Sequence, residues 1–171
     1  MKRFAFILIL LAFCCTTATW SQEGHLSKKE LIAQKIADQL NNKTFKVMVQ
    51  WAYPMVGSPV SLTSLYSLEI KGDSVKSYLP YYGRATNIPY GGGKGLNFEA
   101  KITDYKVRFG RRNRAEVHFT SQNEEDTYNF SLLVFLNGST CITVVSRNRD
   151  IINFQGEAVV DLQTTGVNSK Q

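Results

Sequence analysis

The chain has 171 residues, of which 43% are hydrophobic, 12% aromatic and 20% charged. That balance describes one ordinary globular domain behind a short leader, and it excludes a collagen-like, low-complexity or multi-domain chain. Twenty basic residues stand against 14 acidic ones for a net +6; without Lys2 and Arg3, which fall in the leader, 18 basic residues remain and the balance is +4. A charge of that size favours solubility and specifies no nucleic-acid partner.

Residues 1–21 read as a signal peptide. Lys2 and Arg3 precede an apolar run from Phe4 to Phe13, and small and polar residues follow. A run of ten residues is too short to cross a hydrocarbon core, which needs about 20. Cleavage after Ser21 would start the mature chain at Gln22, giving a single domain over residues 22–171. Lipid modification of Cys14 or Cys15 is the alternative, and only that would tie the chain to a membrane, as an outer-membrane lipoprotein. After cleavage at Ser21 only Cys141 remains, and one cysteine cannot form an internal disulfide. A disulfide-free exported domain of this size fits a bacterial periplasmic or secreted protein better than a eukaryotic one. Cys141 lies in the run Thr140 to Val145 and is expected to be a small buried filler.

The mature chain opens with a helix predicted over residues 26–41. Ser27 followed by Glu30 forms a capping box, in which each side chain satisfies a free backbone donor of the first turn. Leu31, Ile32, Lys35, Ile36 and Leu40 recur at helical spacing, so one face is mostly apolar. From Thr44 the period changes to two. Phe45, Val47, Val49 and Trp51 are expected on one side of a strand, and Lys46, Met48 and Gln50 on the other. Pro54 to Pro59 is a loop. Tyr66, Leu68 and Ile70 lead through the turn Lys71-Gly72-Asp73-Ser74 into Val75, Ser77 and Leu79, a hairpin. Ile102 to Phe109, a turn from Gly110 to Asn113, and Ala115, Val117 and Phe119 form the next. Tyr128 to Leu136 alternate cleanly, and Asn137-Gly138 predicts a tight turn with positive φ at both positions before Cys141 to Val145 pair back. A last strand runs from Ile152 to Val160, and residues 161–171 form a frayed polar tail. The β-rich region thus spans residues 44–160. The fold class is mainly β, an antiparallel sandwich or barrel-like sheet of about seven or eight strands with one N-terminal helix.

Residues 78–98 are unlike an ordinary connector, because a loop this long in a compact domain usually has a job. The run Tyr78-Leu79-Pro80-Tyr81-Tyr82-Gly83-Arg84-Ala85, followed by Pro89-Tyr90-Gly91 and Gly95-Leu96-Asn97-Phe98, resembles the signature of a bacterial secreted family known as domain of unknown function 4251. The resemblance extends from Phe45 to the closing Ile152-Asn153-Phe154-Gln155-Gly156, and Thr86 departs from it where an aromatic residue is expected. It implies a small envelope protein with a signal peptide in Gram-negative anaerobes, often from the gut, and implies no activity. On their own chemistry Tyr81, Tyr82 and Tyr90 offer flat amphipathic rings and Arg84 a planar donor, a set that suits a small ligand, a glycan or a peptide. The plainer reading, and the one these residues favour, is that they pack over the sheet edge, with Gly83 relieving a turn and Arg84 bonded to buried carbonyls. Gly91-Gly92-Gly93-Lys94-Gly95 lacks the Gly-Lys-Ser/Thr order of a phosphate loop, and a strand follows it.

Arg108, Arg111, Arg112 and Arg114 straddle a predicted turn, with Glu124, Glu125 and Asp126 as candidate partners at the next one. They read as solvated charge and are not interleaved with the aromatic residues that single-stranded nucleic acid needs. His25 and His118 have no ligand spacing, so no metal or cofactor is called for. No serine elbow, cysteine–base pair or pocketed carboxylate pair names a catalytic residue. The expected function is non-catalytic binding of a small ligand, glycan or protein partner through Tyr81, Tyr82, Arg84 and Tyr90. The alternative is an envelope assembly component pairing through a sheet edge, and the third class is an unrecognised hydrolase.

Overall fold

The computed structural model describes residues 27–86, 94–111 and 113–160. Residues 1–26, residues 87–93 with Tyr90, Arg112, and residues 161–171 lie outside them. Helix α1 covers Lys28–Asn41, one residue after its cap: Ser27 accepts the Glu30 amide at 3.4 Å and its own amide donates to the Glu30 carboxylate at 2.9 Å. Nine strands follow: β1 (Thr44–Pro54), β2 (Val60–Ser61), β3 (Ser67–Lys71), β4 (Ser74–Leu79), β5 (Leu96–Gly110), β6 (Arg114–Gln122), β7 (Thr127–Phe135), β8 (Ser139–Ser146) and β9 (Ile152–Ala158).

Neighbouring strands pair antiparallel in the order β1-β3-β4-β5-β6-β7-β8-β9, and β9 pairs back onto β1 from Pro54↔Ile152 to Val47↔Ala158. The expected sheet is therefore a closed barrel, with β2 as a short extra strand on β1. Closure leaves no lumen, as expected for a barrel of this size. Val47, Leu68, Ile70, Val75, Val117, Leu132, Ile142 and Phe154 are among the inward residues at 0–2% exposure. The Phe119–Phe130 and Phe98–Tyr128 ring pairs, 4.8 and 4.6 Å apart, fill the centre. Among the described residues no helix is long and apolar enough to cross a membrane.

Two bulges reset the alternation. In β1, Val49 opposes Gly156 and Trp51 opposes Gln155, so Gln50 is the extra residue. Trp51, expected to continue the inward face of Val49, is consequently turned out at 41% exposure, and Ala52 takes the core position. Gly156 makes this possible, since a β-carbon there would overlap the Met48 carbonyl. In β5 the register slips between Thr103 and Lys106, where Asp104 adopts φ 54°. Cys141 also departs from expectation: Thr140, Ile142 and Val144 point inward, which leaves the thiol exposed on the outer wall. The Asn137-Gly138 hairpin forms, but only Gly138 has positive φ, at 103°. The turn runs through Leu136, and the Asn137 side chain accepts the Ser139 amide at 3.0 Å.

Because consecutive strands alternate direction, the connections sort to two ends. Residues 72–73, 111, 113 and 136–138, which lie between paired strands, share one end with α1, whose Ile36 and Leu40 are 1% exposed. The Tyr105 hydroxyl donates to the Leu40 carbonyl at 2.7 Å and the Gln39 amide to the Val159 carbonyl at 3.3 Å, seating the helix there. Segments 55–66, 80–86, 94–95, 123–126 and 147–151 meet at the other end.

Candidate functional site

At that second end the crossover from β4 to β5 is tied to the β8–β9 loop by its backbone. Ala85 bridges Arg149, the Asp150 amide donates to the Arg84 carbonyl at 3.1 Å, and the Thr86 amide donates to the Asn148 carbonyl at 2.9 Å. The Arg84 amide in turn donates to the Asp150 carboxylate at 3.2 Å. Tyr81 locks this corner, its hydroxyl donating to the Arg84 carbonyl at 2.8 Å and lying 3.2 Å from that of Asp150. Burial, helped by the Asp150 charge, pushes the Tyr81 phenol above its usual range. Gly83 must be glycine for steric reasons: a β-carbon there would sit 2.6 Å from the Tyr81 hydroxyl.

Beneath this corner lies an ion pair. The Arg149 guanidinium stacks 5.4 Å from the centre of the Tyr81 ring and donates to the Glu125 carboxylate at 2.9 Å, with the two side chains only 7% and 17% exposed. Glu125 also accepts the Lys94 amide at 3.1 Å, which fixes the returning limb of the crossover. Asp126, 8% exposed, accepts the amides of Thr127, Arg147 and Asn148 at 2.7, 3.3 and 3.1 Å. Asn123 accepts the amides of Glu125 and Asp126, both at 2.9 Å. Three connections thereby become one clamp, in which charge is neutralised inside the protein and the buried acceptors face backbone donors.

The geometry treats the sequence candidates differently. Tyr81 and the Arg84 peptide belong to the clamp. The Arg84 guanidinium has no partner among the described residues, and Tyr82 is 36% exposed beside it. Tyr90 falls outside the described residues. Glu125, Asp126, Arg149 and Asp150 carry the clamp and were not singled out as a unit by sequence reasoning. Among the described residues the expected pairing of Glu124, Glu125 and Asp126 with the arginine cluster does not form. Arg108, Arg111 and Arg114 sit at the helix end, a full strand length away, and Arg114 pairs with Glu116 at 3.5 Å. A signal was present in the run Arg147-Asn148-Arg149-Asp150, charged residues in a short connection between two apolar strands, but nothing local names their partners.

Most of the large exposed apolar side chains also gather toward the crossover end: Met55, Val56 and Leu65 are 69%, 68% and 80% exposed on the β1–β3 connection, with Tyr78 at 43% and Ile151 at 42%. Among the described residues no group of three or more His, Cys, Asp or Glu could hold a metal.

A closed, side-chain-filled antiparallel barrel with a helix across one end and a clamped crossover across the other defines the class. The chain belongs to the family described as Domain of unknown function (DUF4251), whose model matches residues 27–158. A crystal structure of a DUF4251 family protein from Bacteroides eggerthii DSM 20697 is similar in fold, with a TM-score of 0.58 at 14% identity over 75% of this chain and 87% of that one. No curated protein matches the chain.

Proposed function

We propose that this protein is an exported, non-catalytic binding domain that presents the crossover end of its barrel to a protein partner in the bacterial envelope. One observation carries the reading. Tyr82 and the Arg84 guanidinium, which has no partner among the described residues, stand on a backbone-clamped corner at the barrel end that also carries Met55, Val56 and Leu65 at 68–80% exposure. Exposed apolar side chains at the same barrel end as an arginine whose backbone is clamped have the composition of a contact surface, in which Arg and aromatic residues are enriched. The packed interior argues for surface binding over enclosure of a small ligand. The displaced phenol of Tyr81 and the Glu125–Arg149 pair are engaged in holding loops together, which supports a non-catalytic role. Pairing through a sheet edge has less to work with, because the barrel closes on itself and β2 offers only two residues. Export rests on the leader at residues 1–21.

The test is a photo-crosslinking amino acid placed at position 82 in the native host, with position 76 on the β4 wall as control. A discrete adduct from position 82 that disappears with Arg84→Glu, in cells where the chain is recovered from the periplasm starting at Gln22, is the expected result. Equal yields from both positions, or a chain retained in the cytosol with its leader, would refute the reading.

A further inference from the structure

The barrel wall has two chemically distinct halves. Across β3, β4 and β5 several outward positions are charged: Glu69 contacts Lys71 and, on the neighbouring β1, Lys46, and Lys76 and Glu99 are paired in register. Across β6 to β9 and the distal half of β1 a different row forms: His118, Ser131, Thr143, Asn153 and Tyr53 are successive cross-strand partners. That row spans five strands, roughly 19 Å at the usual strand spacing; its five positions carry no lysine, arginine, aspartate or glutamate, and it is bordered by charge on the β5–β6 side, where Lys106 is the next partner of His118 and Glu116 lies one row over.

Its polar groups are already oriented. Thr143 donates to the Asn153 carbonyl oxygen at 2.7 Å, Tyr53 to that of Gln155 at 3.0 Å, and, one row over, Thr120 to that of Asn129 at 2.9 Å. In each case a neighbouring hydroxyl occupies the amide oxygen, which turns the amide nitrogen into the free end. Three NH2 groups are thereby offered as donors with no partner among the described residues. His118 and Ser131 add a hydrogen-bonded pair at 3.0 Å. At the β1 margin Trp51 and Tyr53, 41% and 36% exposed, supply ring surface, and it is the Gln50 bulge that turns Trp51 outward.

We infer that this wall is a binding surface for a neutral polysaccharide chain. Sugar hydroxyl and ring oxygens accept from fixed NH2 groups, and the C–H faces of sugar rings pack on tryptophan and tyrosine. The lack of charge along the row disfavours nucleic acids and uronate polymers, which need cations to offset their own charge. This surface is separate from the crossover end and stands independently of the function proposed above.

The test uses the full-length chain, produced with its own leader, in native affinity electrophoresis through gels containing a soluble β-glucan, a mannan, a galactan or polygalacturonate. Retardation by at least one neutral polymer and none by polygalacturonate is expected. Trp51→Ala and Asn153→Asp should each weaken that retardation at least tenfold while keeping the wild-type melting temperature within a few degrees, and Lys76→Ala on the β4 wall should leave it unchanged. Trp51→Phe, which retains a ring, should restore most of it. The inference is overturned if no neutral polymer retards the chain, if polygalacturonate retards it equally, or if Trp51→Ala and Asn153→Asp bind as wild type. Self-association through this face, seen as a concentration-dependent dimer in sedimentation that Trp51→Ala abolishes, would also overturn it.

Discussion

The two ends of the barrel solve the same problem by different means. At the helix end, α1 lays Ile36 and Leu40 over the opening, and apart from the part-buried Tyr105 hydroxyl on the Leu40 carbonyl its polar contacts are local or exposed. The Lys43–Asp73 ion pair there, 2.6 Å long, has side chains 36% and 78% exposed. At the crossover end no helix is available, and irregular backbone must be covered and satisfied. It is held by Arg149 and Glu125, 24 positions apart and nearly buried, by Asp126 and by Tyr81. An apolar cap tolerates loss of any one polar contact, whereas a clamp built on a desolvated ion pair does not, because removing one partner strands the other's charge. The rim proposed as a contact surface is therefore mounted on the more brittle end.

The comparison breaks if the clamp proves dispensable. Arg149→Met should cost about 3–5 kcal/mol, the usual penalty for leaving a buried partner unpaired, and lower the melting temperature by roughly 10 °C for a domain of this size. Glu125→Gln combined with Arg149→Met should recover part of that loss. Thermal melts of the single and double variants suffice, and a single variant melting within 2 °C of wild type would remove the distinction between the ends. Tyr81→Phe keeps the ring against Arg149 and deletes only the hydroxyl that reaches the Arg84 and Asp150 carbonyls, so about 1–2 kcal/mol is expected. Hydrogen exchange should then quicken at Arg84, Thr86 and Asp150 and stay unchanged in α1.

At the helix end Ser27→Ala should cost about 1 kcal/mol, the ordinary value of an N-cap, with fraying confined to the first turn. That end was also the legible one. The Ser27–Glu30 box, the apolar positions of α1 and the strand alternation are local patterns, and each of them formed. What alternation cannot carry is a change of phase: Gln50 and the Asp104 region each add a residue, so Trp51 falls on the wrong side of a count by twos. Gly156 inside an otherwise regular strand was the available sign, since an interior strand glycine often marks a bulge or a close backbone approach. Cys141 was misread because its flanking residues suit either face, and only the pairing of Ile142 with Leu132 and Phe154 fixes the inward side. The clamp had no local signature at all. Arg149 meets Glu125 because β7 and β8 return the chain to the same end, and that is a property of the closed topology.

The smallest expected effect sharpens the contrast from the exposed side. Lys43 holds the Asp73 carboxyl below its ordinary 3.8, first through the hydrogen bond and then through charge. A lowered pKa means that the folded state binds the proton less readily than the unfolded state, so the pair's contribution is present above about pH 4 and fades as pH falls through the folded value. Asp73→Asn should accordingly melt just below wild type at pH 7 in low salt, and the two curves should converge both as pH falls below the folded-state value and at neutral pH in 1 M salt, where exposed pairs are screened. Arg149→Met should remain displaced at pH 7 in either salt, because its ion pair lies out of reach of the counterions. If instead 1 M salt brought Arg149→Met back to the wild-type melting temperature, the Glu125–Arg149 pair would be an exposed contact like Lys43–Asp73, and the two ends would be held by the same kind of interaction.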